Sequence, residues 1–253
     1  MIGVILAAGD GTRLKKSTGQ DICKSLTTIK DKHLIEFALN NLVDLGITEV
    51  YIVVGKQGDL IKDSIGEKYK SLNVNYVCQS QQKGLVDALV QALKVIDDDK
   101  TVILQLADEI FIELNTQAIK NELETKNFDF YCGITMEENE EKIKNNFSVE
   151  TDSDLLLIKC IEKPQVVINN IKGTGFTIFS GSTQKIIKDT YETSPENVHD
   201  LCDCFNYLVA NGYRGLALSV ADREFNINTA LDLKEAESFL KMWVKIIPFL
   251  YDS

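Results

Sequence analysis

An apolar run from Gly3 to Ala8 breaks into a glycine-rich loop, and the next apolar positions, Leu34, Phe37, Ala38, Leu42 and Leu45, fall at helical spacing up to Gly46. The order strand, loop, helix then repeats. Val50–Val54, Val74–Cys78 and Val102–Leu106 read as strands, with Leu60–Tyr69 and Leu85–Val95 as the helices between them. Alternating units of this length predict an α/β fold, a mainly parallel sheet with helices on both faces. Ligands of such sheets sit at the carboxyl ends of the strands, where the Gly9–Leu14 loop and Asp108 both fall.

Beyond Leu106 the rhythm changes. Phe130–Thr135, Phe147–Glu150, Leu155–Ile161 and Gly173–Phe179 read as strands, followed by helices Ser182–Thr190 and Val198–Asn211, a strand Gly215–Val220 and a last helix from Ala230 towards Lys245. No linker or repeat divides the chain, and the charged run Glu137–Lys144 reads as a solvated helix or loop. The terminal segment Phe239–Tyr251 carries Trp243, Ile246, Ile247, Phe249 and Leu250; packing on the chain's own sheet is the expected use of that apolar face, and a homodimer contact is the other.

Of the 253 residues 44% are hydrophobic, enough for a full core, and disorder is excluded as the dominant state. No run approaches the roughly 20 apolar residues of a membrane helix, and Ile2–Ala8 lacks the basic start and length of a signal peptide. A cytoplasmic protein without membrane contact is expected. The 38 acidic against 27 basic residues give a net charge of -11, which opposes nucleic-acid binding and requires a local basic site for any anionic small ligand. The six cysteines, Cys23, Cys78, Cys132, Cys160, Cys202 and Cys204, form no CxxC pair and read as reduced thiols; Cys202 and Cys204 are too close, on a helix-like stretch, to suggest a shared metal. His33 and His199 sit in helix-like stretches without a partner serine or cysteine motif, which argues against histidine-based nucleophilic catalysis.

Chemistry concentrates first in Leu6-Ala7-Ala8-Gly9-Asp10-Gly11-Thr12-Arg13-Leu14, a strand running into a glycine loop with one fixed cation. Glycines permit positive φ and let backbone N–H groups approach phosphate oxygens, and Arg13 adds an always-charged fork. The loop lacks the Gly-Lys-Ser/Thr of a Walker A sequence, and Leu14 stands where a dinucleotide GxGxxG has its third glycine. Lys24 follows in Cys23-Lys24-Ser25-Leu26.

This arrangement resembles the sugar-phosphate nucleotidyltransferase family. The resemblance continues in order through Gln79 with Gly84-Leu85, Leu106-Ala107-Asp108-Glu109-Ile110-Phe111, Ile161-Glu162-Lys163-Pro164, Gly173-Thr174-Gly175-Phe176, and Asn226-Ile227-Asn228-Thr229 with Asp232-Leu233. Six ordered motifs cover nearly the whole chain. The resemblance implies a Rossmann-like, GT-A-like nucleotidyltransferase fold with a small acceptor-binding β insertion, and a single domain over 1–253 with a nucleotide-binding half, 1–110, and an acceptor-binding half, 111–253. It implies that Leu6, Ala8, Gly9, Gly11, Thr12 and Arg13 bind the nucleotide, that Arg13 and Lys24 balance charge during transfer, and that Gln79 and the Gly84 backbone recognise the base. Asp108 matches the metal-binding aspartate and Asn226 the second metal position, with Mg²⁺ as the cofactor. Glu162 and Lys163 match the acceptor pair, the lysine on the acceptor's phosphate and a member of the catalytic set, and Gly175 lines the acceptor pocket.

The residue chemistry agrees with that reading. Phosphoryl transfer asks a protein for positioning and charge stabilisation, so a divalent cation on Asp108 and two or three side-chain cations suffice without a protein nucleophile. Three positions depart from the family pattern: Cys23 replaces the proline before the loop lysine, Ala107 the glycine before the metal aspartate, and Asn228 the glycine of Asp-x-Gly-Thr. They point away from hexose-1-phosphate thymidylyltransferases, and 253 residues leave no room for a C-terminal hexapeptide-repeat domain. The sequence reading favours a cytidylyltransferase that uses CTP and a small phosphorylated acceptor such as phosphocholine or phosphoglutamine in capsule or surface-polysaccharide precursor synthesis. UTP- or dTTP-dependent transfer to a sugar 1-phosphate is the alternative, and a non-catalytic nucleotide-binding regulator the second.

Overall fold

The computed structural model describes residues 1–19, 21–125 and 127–251, the side chains of 244–251 excepted. Its centre is four parallel strands, β1 (Ile2–Ala7), β4 (Glu49–Val54), β6 (Leu72–Cys78) and β7 (Val102–Leu106), in the order β7-β1-β4-β6. Every residue of β1 is buried. Its two faces point into two separate cores: Val4 and Leu6 pack with Val86, Leu89 and Val90 of α4 (Leu85–Leu93), and Ile5 and Ala7 pack with Ile35, Leu39 and Leu42 of α2 (Leu34–Asp44). Burial on both sides is why the run is apolar throughout.

The connecting elements in this half are α1 (Thr12–Thr18), the hairpin β2 (Thr28–Ile29) and β3 (Lys32–His33), α3 (Gly58–Ile65), and β5 (Lys68–Tyr69), which pairs antiparallel with β6. The helix expected over 60–69 therefore ends early. Gly66 at φ 74 stops α3, and Lys70 at φ 52 turns the chain into the β5–β6 hairpin. His33 also differs from expectation: it is the N-cap of α2, with its backbone N–H donating to Glu36 Oε2 at 2.7 Å.

The second half extends the same sheet with mixed pairing. β12 (Ile171–Phe179) lies antiparallel to β7 and to β9 (Phe130–Met136), and β9 takes β13 (Gly215–Ser219) in parallel. β10 (Phe147–Thr151) and β11 (Leu157–Glu162) form an edge hairpin beyond β12. A separate two-stranded ribbon, β8 (Glu109–Leu114) with β14 (Ala221–Asn226), carries the chain away from Asp108 and back to Asn226. The remaining helices are α5 (Thr116–Thr125), α6 (Glu140–Lys144), α7 (Gly181–Thr193), α8 (Leu201–Ala210) and α9 (Ala230–Tyr251). The expected helix over 198–211 begins only at Leu201, where the Asp200 carboxylate accepts the Asp203 N–H at 2.9 Å, so His199 lies in a bend ahead of the cap.

Phe205 of α8 is fully buried and stacks on Phe130 at 5.7 Å between ring centres. Cys132, Cys160, Cys202 and Cys204 are buried free thiols, and burial raises the Cys160 and Cys204 thiols well above their ordinary value. Phe239 and Trp243 of α9 pack beside Phe225 of β14, with ring centres 5.4 and 5.5 Å apart along the series. The side chains of Ile246, Ile247, Phe249 and Leu250 lie outside the described residues. No helix among the described residues is long and apolar enough to cross a membrane.

Candidate nucleotide site

A cleft of about 440 Å³ opens at the carboxyl ends of β1 and β7. Leu6, Ala8, Gly9, Gly11, Thr12, Arg13, Lys24, Gln79, Gly84 and Asp108 all line it. Every residue expected to hold the nucleotide is thus brought to one place, together with the loop lysine and the first expected metal ligand.

The loop after β1 does this through its backbone. Gly11 takes φ +63 as the N-cap of α1, and a Cβ there would stand 2.8 Å from Lys24 Cβ, so glycine is needed both for the turn and for the close approach of Lys24. Gly9 differs, because a Cβ there would meet nothing within 4 Å; it borders open cleft. Gly55 supports the loop from beneath, since a Cβ at that position would lie 2.5 Å from the Ala8 carbonyl oxygen. Arg13 is exposed on α1 and makes no ion pair among the described residues, leaving its guanidinium free for an anion.

Lys24 joins the two sides of the cleft. Its ammonium pairs with Asp108 and donates to Asn228 Oδ1 at 2.9 Å. From there the chain of amides continues: Asn228 Nδ2 donates to Asn226 Oδ1 at 2.6 Å, and Asn226 Nδ2 to Asn146 Oδ1 at 3.1 Å. The Asn146 carbonyl accepts the Lys163 N–H at 2.7 Å. Asn226 therefore sits behind the cleft wall, and Asn228 is the residue that faces Asp108 across it. In the sequence Asn228 stands out only as a departure from the family pattern.

The residues expected to bind the acceptor lie apart from the cleft lining. Lys163 follows β11, is exposed, pairs with Glu162 at 3.0 Å and holds φ 45, an uncommon left-handed conformation for a side-chain-bearing residue. Gly175 is buried in β12, where its N–H donates to both oxygens of Glu109, and a Cβ would strike Leu106 at 2.3 Å. Full burial, then the Glu224 and Asp108 charges, push the Glu109 carboxyl well above the carboxylate range. Glu224 in turn pairs with buried Lys172 beneath the ribbon.

The end of the cleft expected from sequence to meet the base is built by Gln79, which follows β6, and Gly84, the N-cap of α4 at φ 107. Gln79 Nε2 donates to the Gly84 carbonyl at 3.0 Å and to Asp87 Oδ2 at 2.7 Å. Gln82, which the sequence reading missed, spans the cleft and donates from Nε2 to the Ala8 carbonyl at 2.9 Å. Its position in a short polar loop carries no periodic signal.

A glycine loop, a free guanidinium and a lysine–aspartate pair at the carboxyl ends of parallel strands define a nucleotide-handling α/β protein. The chain belongs to the family described as Nucleotidyl transferase, whose profile matches residues 2–243. It is 28% identical over 244 residues to the UTP–glucose-1-phosphate uridylyltransferase AglF of Haloferax volcanii, covering 95% of this chain and 97% of that one. A low-salt glycan biosynthesis nucleotidyltransferase of the same organism is 27% identical over 84% of this chain and 58% of its own length. The fold is shared with a protein from Bacillus anthracis assigned as a glucose-1-phosphate thymidylyltransferase, at a TM-score of 0.82 and 19% identity over 94% of this chain and 95% of that one. It is also shared with a UDP-glucose pyrophosphorylase solved with UDP-glucose, at 0.78 and 21% over 95% and 98%.

Proposed function

We propose that this nucleotidyltransferase moves a nucleoside monophosphate from UTP, or from dTTP, to a sugar 1-phosphate and releases pyrophosphate. The observation that carries the reading is the similarity, over 95% of this chain, to a UTP–glucose-1-phosphate uridylyltransferase, and a cleft that gathers the glycine loop, Arg13 and Lys24 supports it. This replaces CTP as the favoured nucleotide. Transfer from CTP to a non-sugar phosphate stays the second reading, and nothing in the cleft favours it.

The roles follow from placement. The backbone around Gly9 and Gly11 and the Arg13 guanidinium take the phosphates, and Lys24 neutralises charge at the α-phosphorus. A phosphate oxygen of the acceptor attacks the α-phosphorus, one P–O bond forms, the bond to the bridging oxygen breaks, and pyrophosphate leaves with that electron pair. No protein nucleophile takes part. The oxygens that accept from Lys24, one of a carboxylate and one of an amide, already converge on a cation, and an oxygen-only set of this kind suits Mg²⁺. Asp108, with the amide oxygen of Asn228, would hold the ion, which when bound supplies positive charge to the transferring phosphate; Asn226, expected from sequence as the second ligand, lies behind the cleft wall with its Oδ1 accepting from Asn228 Nδ2. Glu162 and Lys163 are the acceptor's contacts in this reading, tied to the cleft by the Asn146–Asn226–Asn228 amides.

The test is pyrophosphate release with Mg²⁺ over CTP, UTP, dTTP, ATP and GTP, each against glucose 1-phosphate, other sugar 1-phosphates, phosphocholine and phosphoglutamine. Release with UTP or dTTP and a sugar 1-phosphate is expected. Release confined to CTP and a non-sugar acceptor would move the protein to the second reading, and silence in every combination would contradict both.

A further inference from the structure

Asp87 is buried in the first turn of α4, and every hydrogen bond it makes is received from a donor. The Tyr191 hydroxyl donates to Oδ1 at 2.8 Å, Gln91 Nε2 reaches the same oxygen at 3.4 Å, and Gln79 Nε2 donates to Oδ2 at 2.7 Å. Gln79 Nε2 also donates to the Gly84 carbonyl. These two acceptors decide which end of the Gln79 amide is which. The reversed amide would set Oε1 against a carboxylate and a carbonyl in a buried wall, two acceptor–acceptor contacts. Gln79 Oε1 takes no bond from any described residue, and the Gly84 N–H gives none, so one acceptor and one donor of this pair stay open to a ligand in this part of the cleft.

An acceptor beside a donor discriminates between pyrimidines. Uracil and thymine carry a ring N3–H between two carbonyls, so N3–H can meet Oε1 while the O4 carbonyl meets the Gly84 N–H. In the same placement cytosine turns a bare N3 lone pair on Oε1 and an amino group on the N–H. A site built around a ligand N–H rejects an analogue that lacks it, because its own buried groups are then left unpaired.

We propose that Asp87, braced by Tyr191, is a specificity-determining positioning residue: by holding the Gln79 amide it turns Oε1 to the base and selects uracil or thymine over cytosine. This rests on the nucleotide site proposed above and deepens it. The carboxylate is required because it accepts on both oxygens. Asparagine keeps the shape, but with Tyr191 still donating to its oxygen its NH₂ would face Gln79 and favour the reversed amide.

The experiment is calorimetric binding of UTP and of CTP with Mg²⁺ to wild type, Asp87→Asn and Tyr191→Phe, with the unfolding Tm of each protein; no acceptor is needed. Wild type is expected to bind UTP more tightly, and Asp87→Asn to reduce the ratio of the CTP to the UTP Kd by ~10-fold or more, the loss of one well-placed hydrogen-bond preference. Tyr191→Phe should move the ratio in the same direction by less. A folded Asp87→Asn that weakens both nucleotides equally and keeps the wild-type ratio would overturn the proposal. Should that variant fail to fold, an unchanged ratio in Tyr191→Phe would overturn it. Equal binding of both nucleotides by wild type would do the same, while the transfer reaction itself stands or falls separately on the turnover grid.

Discussion

Lys24 is the side chain on which the site turns, because one ammonium faces Asp108, Asn228 and the space where the phosphates would lie. Its removal leaves Asp108 without a counter-charge and, in the proposed reaction, the α-phosphorus without a fixed cation. Lys24→Ala is expected to lower kcat by ~10²–10³, as for the loss of one preorganised transition-state contact, with a much smaller change in the KM for nucleotide. Steady-state pyrophosphate release measures this; a loss below about tenfold would remove Lys24 from the chemical step. Lys163→Ala should act differently, raising the acceptor KM far more than the nucleotide KM, and the reverse pattern would place Lys163 on the nucleotide. Lys24, Asp108 and the glycine loop were legible in the sequence because their order and spacing match a family pattern. Asp87 and Gln82 were not, because their roles depend on which way an amide turns and which carbonyl it meets, and neither leaves a trace in periodicity.

The loop between β1 and α1 shows how an element sets the site. Its two glycines differ: Gly11 is required by the backbone, and Gly9 borders the cleft that the proposed nucleotide would fill. Gly11→Ala forces an L side chain into φ +63 against Lys24 and should cost ~1–2 kcal/mol of stability as well as activity. Gly9→Ala meets no neighbour, so its stability should stay within ~0.5 kcal/mol of wild type while the KM for nucleotide rises. Thermal unfolding beside steady-state kinetics separates the two, and equal destabilisation would contradict this division. Elements with one dominant period were legible: β1, β4, β7 and α2 fall where the apolar pattern puts them. The β8–β14 ribbon was not read as strands, since Glu109 and Glu224 interrupt its apolar pattern with charges buried against Gly175 and Lys172. The end of α3 was misjudged because Tyr69 continues a helical spacing that Gly66 has already broken.

Across the whole molecule, the parallel half was legible in sequence and the mixed half only in outline. Strands covered on both faces are apolar throughout, whereas the order of β9, β10, β12 and β13 is set by partners far away in the chain. The α8 face of that half is fixed by Phe205, which touches the Phe130, Phe147 and Phe179 rings at 5.7, 6.3 and 6.3 Å. Phe205→Ala should cost ~3–5 kcal/mol, read as a fall of roughly 10 °C in Tm; a fall under about 3 °C would show that the neighbouring rings close the space. In the proposed reaction this architecture delivers the α-phosphorus, and not the γ-phosphorus, to an acceptor oxygen. The most direct test follows a label on the α-phosphate of UTP incubated with Mg²⁺ and glucose 1-phosphate. The label is expected to leave in a nucleotide-sugar with unlabelled pyrophosphate as co-product, and Asp108→Asn to abolish both; label retained in UDP with inorganic phosphate released would contradict transfer at the α-phosphorus.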